Sequence, residues 1–174
     1  MLEYYNIKPI EEYVMFKQED DMYKSITVKS SILYGFFNKE NELCKIYQPT
    51  NTKKKFLKIK DYVQGSDQIT KGKNLFIASS MKDGICLKKM FPTFDFIAPD
   101  SENSMIKKEF IENLDYDNIY IIFDNDDAGR NSTERYCSIF PKLKPIYLQV
   151  EKDVADAVKA HGSNKIKKIL EHLL

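Results

Sequence analysis

Apolar residues change their spacing part-way along the chain, and the change divides it in two. Over residues 1–72 they come in short runs cut by polar turns. After a short opening segment, residues 29–37 have strand-like content and residues 38–41 form a polar turn. Residues 43–47 alternate, with Cys44 and Ile46 on one side and Lys45 and Tyr47 on the other. Pro49 and the polar residues after it break that strand, and residues 55–59 predict another. From Asn74 onward strands and helices take turns. Residues 75–78 predict an apolar strand, followed by a helix through Ile85, Leu87 and Met90. Residues 94–98 predict a second strand, followed by a helix over 105–111. Residues 119–123 predict a third strand, apolar almost throughout, as happens when both faces of a sheet are covered. A helix runs from Ala128 towards Phe140, residues 145–150 predict a fourth strand, and helices follow over 154–160 and 164–174, with Gly162 marking the break.

Strand–helix units in succession predict an α/β region with a parallel sheet of about four strands flanked by helices. A small, mainly β subdomain precedes it, with the boundary near residue 72. Of the 174 residues, 43% are hydrophobic and 30% charged, which excludes a disordered chain. The apolar runs are too short to cross a bilayer, so no membrane partner is expected. The opening residues lack the basic-then-apolar layout of a secretory signal. Cys44, Cys86 and Cys137 stand far apart with no C-x-x-C pair, the pattern of reduced thiols in the cytoplasm. Two histidines, both near the C-terminus, leave no zinc site of the usual Cys/His kind.

Net charge is only +1, but its distribution is uneven. Between Lys45 and Lys73 there are eight lysines against two acids, Asp61 and Asp67, whereas residues 95–127 are rich in acids. A basic zone suits a polyanion and an acidic zone suits metal ions. Lys45, Lys53, Lys54, Lys55 and Lys58 would share a face or rim of a twisted hairpin. The plain alternative is a solvated edge strand.

The acidic zone peaks at Phe123-Asp-Asn-Asp-Asp-Ala-Gly-Arg130, where an apolar strand ends and a helix begins. α/β folds place ligand sites there. Asp124 and Asp126, two apart at a strand end, can turn their carboxylates towards one point and offer the oxygen ligands that Mg²⁺ requires. Asp153 and Asp156, three apart after the fourth strand, extend such a site or else cap a helix. Arg130 is expected to cover a helix face or pair with an acid.

The segment Phe123-Asp-Asn-Asp-Asp-Ala-Gly129 resembles the D-x-D-x-A-G motif of the Toprim domain, and residues 152–162 resemble the later acidic motif of its primase branch. Ser79-Ser-Met-Lys-Asp83, Ala98-Pro-Asp-Ser-Glu102, Lys45-Ile-Tyr-Gln-Pro49 and Gln64-Gly-Ser-Asp-Gln68 are similar to segments of phage primases. The resemblance implies a DnaG-type primase catalytic core. Residues 73–174 would be the Toprim catalytic domain, and 1–72 a basic, nucleic-acid-binding subdomain. Such a core makes short RNA primers from nucleoside triphosphates on a single-stranded DNA template, in the cytoplasm of a bacterial or phage-infected cell. It uses Mg²⁺ or Mn²⁺ to bind the triphosphate and stabilise charge as a 3′-hydroxyl attacks. Asp124, Asp126, Asp153 and Asp156 would be metal ligands. The five lysines would face template or nucleotide phosphates, Lys82 would hold a phosphate, and Tyr47 would stack on a base.

The Toprim pattern opens with E-G-x-x-D. Setting its last position on Asp83 puts Ser79 where the glutamate belongs, and leaves Asp83 and Glu102 as the acids that would replace it. Family members also carry a zinc ribbon and a helical region, so this chain is expected to be a fragment or a minimal subunit working with a replicative helicase and a zinc-binding primase module. Competing expectations are a Toprim-type nuclease, a weakened nucleic-acid-binding subunit, and a phosphatase of the haloacid dehalogenase class. The last is disfavoured because Asp127-Ala128 stands where that class has Gly and Thr.

Overall fold

The computed structural model describes residues 1–19, 22–30, 32–101 and 104–174, with the backbone alone over 15–19 and 22–26. These residues form two compact units, Met1–Tyr62 and Val63–Leu174. The junction precedes residue 72 because the segment between is fastened to the second unit. Gln64 exchanges both backbone hydrogen bonds with Ala98 at 2.8 Å, and the Thr70 amide and hydroxyl both donate to Asp95.

The first unit is mainly β, with a single 3-10 turn at Glu3–Tyr5 among its described residues. Strands β1 (Ile7–Pro9), β4 (Tyr34–Phe37), β5 (Leu43–Tyr47) and β6 (Phe56–Lys58) form an antiparallel sheet in the order β1-β4-β5-β6. Strands β2 (Glu12–Glu19) and β3 (Met22–Lys29) pair antiparallel as a separate two-stranded ribbon, where the sequence predicts no more than an opening segment. The strand expected over 29–37 is split, since β3 ends at Lys29 and β4 begins at Tyr34. A cross-strand row of Tyr34, Tyr47 and Phe56 runs over β4, β5 and β6 in register. Tyr47 stacks on Phe56, with ring centroids 4.7 Å apart, and on Tyr34 at 6.4 Å.

The second unit is a three-layer α/β sandwich. Strands β7 (Asn74–Ala78), β8 (Asp95–Ile97), β9 (Asn118–Ile122) and β10 (Leu143–Pro145) form a parallel sheet in the order β10-β9-β7-β8. Helices α1 (Met81–Met90), α2 (Lys108–Glu112), α3 (Asp127–Ile139), α4 (Val154–His161) and α5 (Ser163–Leu173) connect and cover them. One sheet face sends Leu75, Ile77, Ile97, Ile119 and Ile121 into a core with Ile111, Tyr136 and Phe140. The other carries Phe76 and Tyr120 against Phe91 and Phe94. Burial on both faces explains why these strands are apolar without a break.

Two elements differ from expectation. The fourth strand lies at Leu143–Pro145, not over 145–150; Ile146 adds one more bond to Ile121, then the chain leaves the ladder. Ile146 and Leu148 stay buried beyond the strand end, which gives the sequence its strand-like alternation. Helix α2 begins after Ile106, whose amide is taken by the Tyr136 hydroxyl at 2.8 Å. Among the described residues no helix is long and apolar enough to cross a membrane.

Candidate metal centre

The C-terminal ends of three adjacent strands deliver three carboxylates to one place. Strand β7 leads to Asp83 in the first turn of α1, β9 leads to Asp124, and the loop after β10 leads to Asp153 at the start of α4. One carboxylate oxygen from each lies within 4.8 Å of the other two. Helical connections carry the chain back over the sheet after β7, β8 and β9, so the strand ends open on a common edge and residues far apart in sequence, such as Asp83 and Ala155, become neighbours.

Each acid is held by a definite local device. Ser80 caps α1, and its hydroxyl and that of Ser79 both donate to Asp83 Oδ2. Asp83 Oδ1 accepts the backbone N–H of Ala155 at 2.9 Å. Asp153 caps α4, its Oδ1 accepting the Asp156 amide at 2.7 Å. Asp124 is positioned by its backbone, because the first turn of α3 rests on it. A Cβ at Gly129 would be driven into the Asp124 carbonyl oxygen, so this position of the motif requires glycine.

Asp83 is 1% exposed. Burial pushes its carboxyl above the ordinary range, against the Ser80 hydrogen bond, and the Asp153 charge pushes the same way. For Asp153 burial also pushes upward, but the Asp156 amide and Lys82 outweigh it and its net shift is downward. Three hard oxygen donors, one of them costly to ionise without a nearby cation, fit a divalent ion such as Mg²⁺ or Mn²⁺.

The other acids named from the sequence are placed differently. Asp126 caps α3, its Oδ1 accepting the Gly129 amide at 3.0 Å, and it lies outside the triad. That amide is the main cause holding its carboxyl below the usual range. Asp156 is exposed in the first turn of α4, also outside the triad. Glu102 lies outside the described residues. Ser79, in the place of the Toprim glutamate, is buried and serves Asp83 as a hydrogen-bond donor. Arg130 donates to Asn125 Oδ1 at 2.7 Å.

Two lysines flank the acids. Lys82 Nζ lies 2.9 Å from Asp153 Oδ2, and Lys152 Nζ spans Asp124 Oδ2 at 3.4 Å and Asp126 Oδ2 at 3.3 Å. Lys152 has no role that the sequence reveals, because adjacency to Asp153 does not tell where a long side chain points.

In the first unit the basic residues separate into three kinds. Lys53, Lys54 and Lys55 are exposed on the turn between β5 and β6. Asn51 Oδ1 accepts the amides of Lys53 and Lys54, and buried Gln48 donates to the carbonyls of Lys54 and Lys55, so the turn's backbone is fixed while its ammonium groups face water. Lys58 pairs with Asp61. Lys45, expected on the basic rim, is 6% exposed, with Nζ 4.6 Å from the Phe56 ring centroid. Both faces of β5 are covered there, which alternation alone does not show.

A parallel sheet of this order, helices on both faces, carboxylates gathered at its C-terminal edge and a smaller β unit ahead of it make a Toprim-type architecture. The solved structures similar to it include primase cores. The primase fragment of the bacteriophage T7 primase-helicase protein aligns over 84% of this chain and 65% of its own, with 16% identity and a TM-score of 0.66. A DNA primase domain from Pseudomonas aeruginosa aligns over 90% and 55%, with 16% identity and a TM-score of 0.69. A DnaG primase catalytic domain bound to single-stranded DNA aligns over 91% and 57%, with 16% identity and a TM-score of 0.66. The chain thus spans less than two thirds of each of these structures. No family model and no curated protein matches the sequence. The fold is that of DnaG-type and phage-type primase catalytic cores.

Proposed function

We propose that this chain is the catalytic core, or part of the core, of a DnaG-type primase. In this reading it joins ribonucleotides into short primers on single-stranded DNA. The observation that carries it is the meeting of Asp83, Asp124 and Asp153 from three adjacent strand ends. Those three residues would hold a divalent ion, Mg²⁺ or Mn²⁺, with Asp126 beside them. When bound, the ion supplies charge neutralisation for the triphosphate and for the 3′-hydroxyl that displaces pyrophosphate from the α-phosphorus. Ser79 and Ser80 hold the Asp83 carboxylate in place, and Ser79 itself contributes no charge to a metal.

The exposed turn of Lys53, Lys54 and Lys55 would contact template phosphates without reading sequence. The half-exposed ring of Tyr47, in its stack with Phe56, would offer a base a continuing aromatic surface. A replicative helicase and a zinc-binding primase module are the natural companions, in the cytoplasm of a bacterial or phage-infected cell.

The test is primer synthesis on single-stranded DNA with labelled ribonucleotides and Mg²⁺ or Mn²⁺, with and without those companions. Short RNA products from the wild type, reduced at least about 100-fold in Asp124→Ala, are expected. Metal-dependent cleavage of the DNA, abolished by the same substitution, would make the chain a Toprim nuclease instead. Retained DNA binding with neither activity under any combination would make it a non-catalytic subunit.

A further inference from the structure

We propose that Lys152 and Lys82 are tethered counter-cations of the acid cluster, which yield their carboxylates to an arriving divalent ion and then grip the nucleoside triphosphate. The inference rests on the metal reading above.

Four carboxylates, Asp83, Asp124, Asp126 and Asp153, stand together with two ammonium groups among them. The carboxylates outnumber the ammonium groups, so the cluster stays negative when all are ionised, a deficit that suits a divalent ion. Each lysine, however, sits on an oxygen of an acid that such an ion would use. Lys82 donates to Asp153 Oδ2, and Lys152 lies over Asp124 Oδ2. An ammonium at these carboxylates repels a metal ion approaching them and competes for their negative charge, so binding of one weakens the other.

The anchoring of the two side chains suits such an exchange. The carbonyl of Lys152 accepts the Asn125 amide at 2.6 Å, which pins its backbone beside the acids. Lys82 is pinned in the first turn of α1. Yet their side chains are 60% and 58% exposed, against 13% for Asp124 and 11% for Asp153. The carboxylates are therefore fixed and the ammonium groups can swing on four-carbon stems. Pairs with an ammonium this exposed are individually weak, and a strongly held divalent ion would displace them. A lysine so released stays within reach of whatever the metal binds, and a polyphosphate is the anion that a metal-filled carboxylate site would attract. In the metal-free state the same ion pairs limit repulsion among the acids, keeping the site assembled.

The two expected effects have opposite signs, which a merely structural lysine would not produce. Mn²⁺ is titrated calorimetrically into wild type, Lys152→Gln, Lys82→Gln and Lys152→Arg; each is then titrated with ATP in saturating Mn²⁺. Each Lys→Gln variant is expected to bind Mn²⁺ about three- to five-fold more tightly, and ATP about three- to five-fold more weakly. Lys152→Arg, which keeps the charge, should stay near wild type on both. Unchanged or weaker Mn²⁺ binding in both glutamine variants overturns the proposal, as does unchanged ATP binding. If the wild type takes up no Mn²⁺, the metal reading falls and this inference with it. If it does and the variants match it, only the inference falls.

Discussion

The backbone N–H of Ala155 donates to Asp83 Oδ1 across 2.9 Å and ties the start of α4 to the start of α1. With the Ser79 and Ser80 hydroxyls on Oδ2, this bond holds a carboxyl that is almost wholly buried. Burial raises its pKa, the neighbouring Asp153 charge adding to it, so the folded chain binds that proton more tightly than the unfolded chain. The contribution of Asp83 to stability is therefore best in acid and falls as pH rises through its raised value.

Asp83→Asn follows from that sign. The amide removes the buried charge and keeps the shape. In metal-free buffer at neutral pH the variant is expected to melt a few degrees above wild type. Adding Mn²⁺ should raise the melting temperature of the wild type and leave the variant where it was. A lower melting point for the variant would mean that the hydrogen bonds to the carboxylate outweigh the cost of burying it.

Gly129→Ala tests the seat of Asp124. The new methyl meets the Asp124 backbone, with no flexible side chain to give way. A loss of about 1–3 kcal/mol in urea unfolding is expected, together with weaker Mn²⁺ binding, because the strand end must shift. Unchanged values for both would show that the first turn of α3 does not fix the acid.

Much of the second unit is legible in the amino-acid sequence. Its sheet can be read because the strands are buried on both faces and are apolar without interruption. Asp124 stands out because it follows such a strand directly, and Asp153 because it follows the alternating segment after β10. The β2–β3 ribbon cannot be read: Glu12, Lys17, Gln18 and Glu19 interrupt its apolar residues, so no single face declares itself. Asp83 is reached only through the Toprim spacing from Ser79 to Asp83, and its burial has no sequence signal. Lys45 is misplaced because a cationic residue alternating with apolar ones reads as a solvent face, whereas here its ammonium lies over the Phe56 ring. Lys152 is invisible as a bridge because the turn that aims it is set by the Asn125 hydrogen bond.

Asp95 supplies a structural contrast to the acids of the candidate metal centre. Burial alone would raise its carboxyl, but the Thr70 amide and hydroxyl, the Tyr116 hydroxyl and Lys88 hold it below the usual range. Burial and the same carboxylate push the Tyr116 hydroxyl up to about 12. Stability from Asp95 is thus present above the ordinary carboxylate pKa and is lost as pH falls through its lowered value. Asp95→Asn should cost about 2–4 kcal/mol at pH 7 by denaturant titration, and the gap from wild type should close as the medium is acidified.

The lysine turn predicts a salt effect. Replacing Lys53, Lys54 and Lys55 by Ala should weaken binding of single-stranded DNA and flatten the slope of log affinity against log salt by about 2, at roughly 0.7 for each phosphate no longer neutralised. Equal weakening on all template sequences is expected, since binding through phosphates carries no sequence information. An unaltered slope would remove this turn from the DNA path.

The most direct measurement is anomalous diffraction from crystals of the chain soaked in Mn²⁺. A peak within coordination distance of Asp83, Asp124 and Asp153, abolished in Asp124→Ala crystals, is the predicted result. A well-ordered site with no peak under saturating Mn²⁺, or manganese bound only at unrelated carboxylates, would contradict the metal centre and the nucleotidyl transfer built on it.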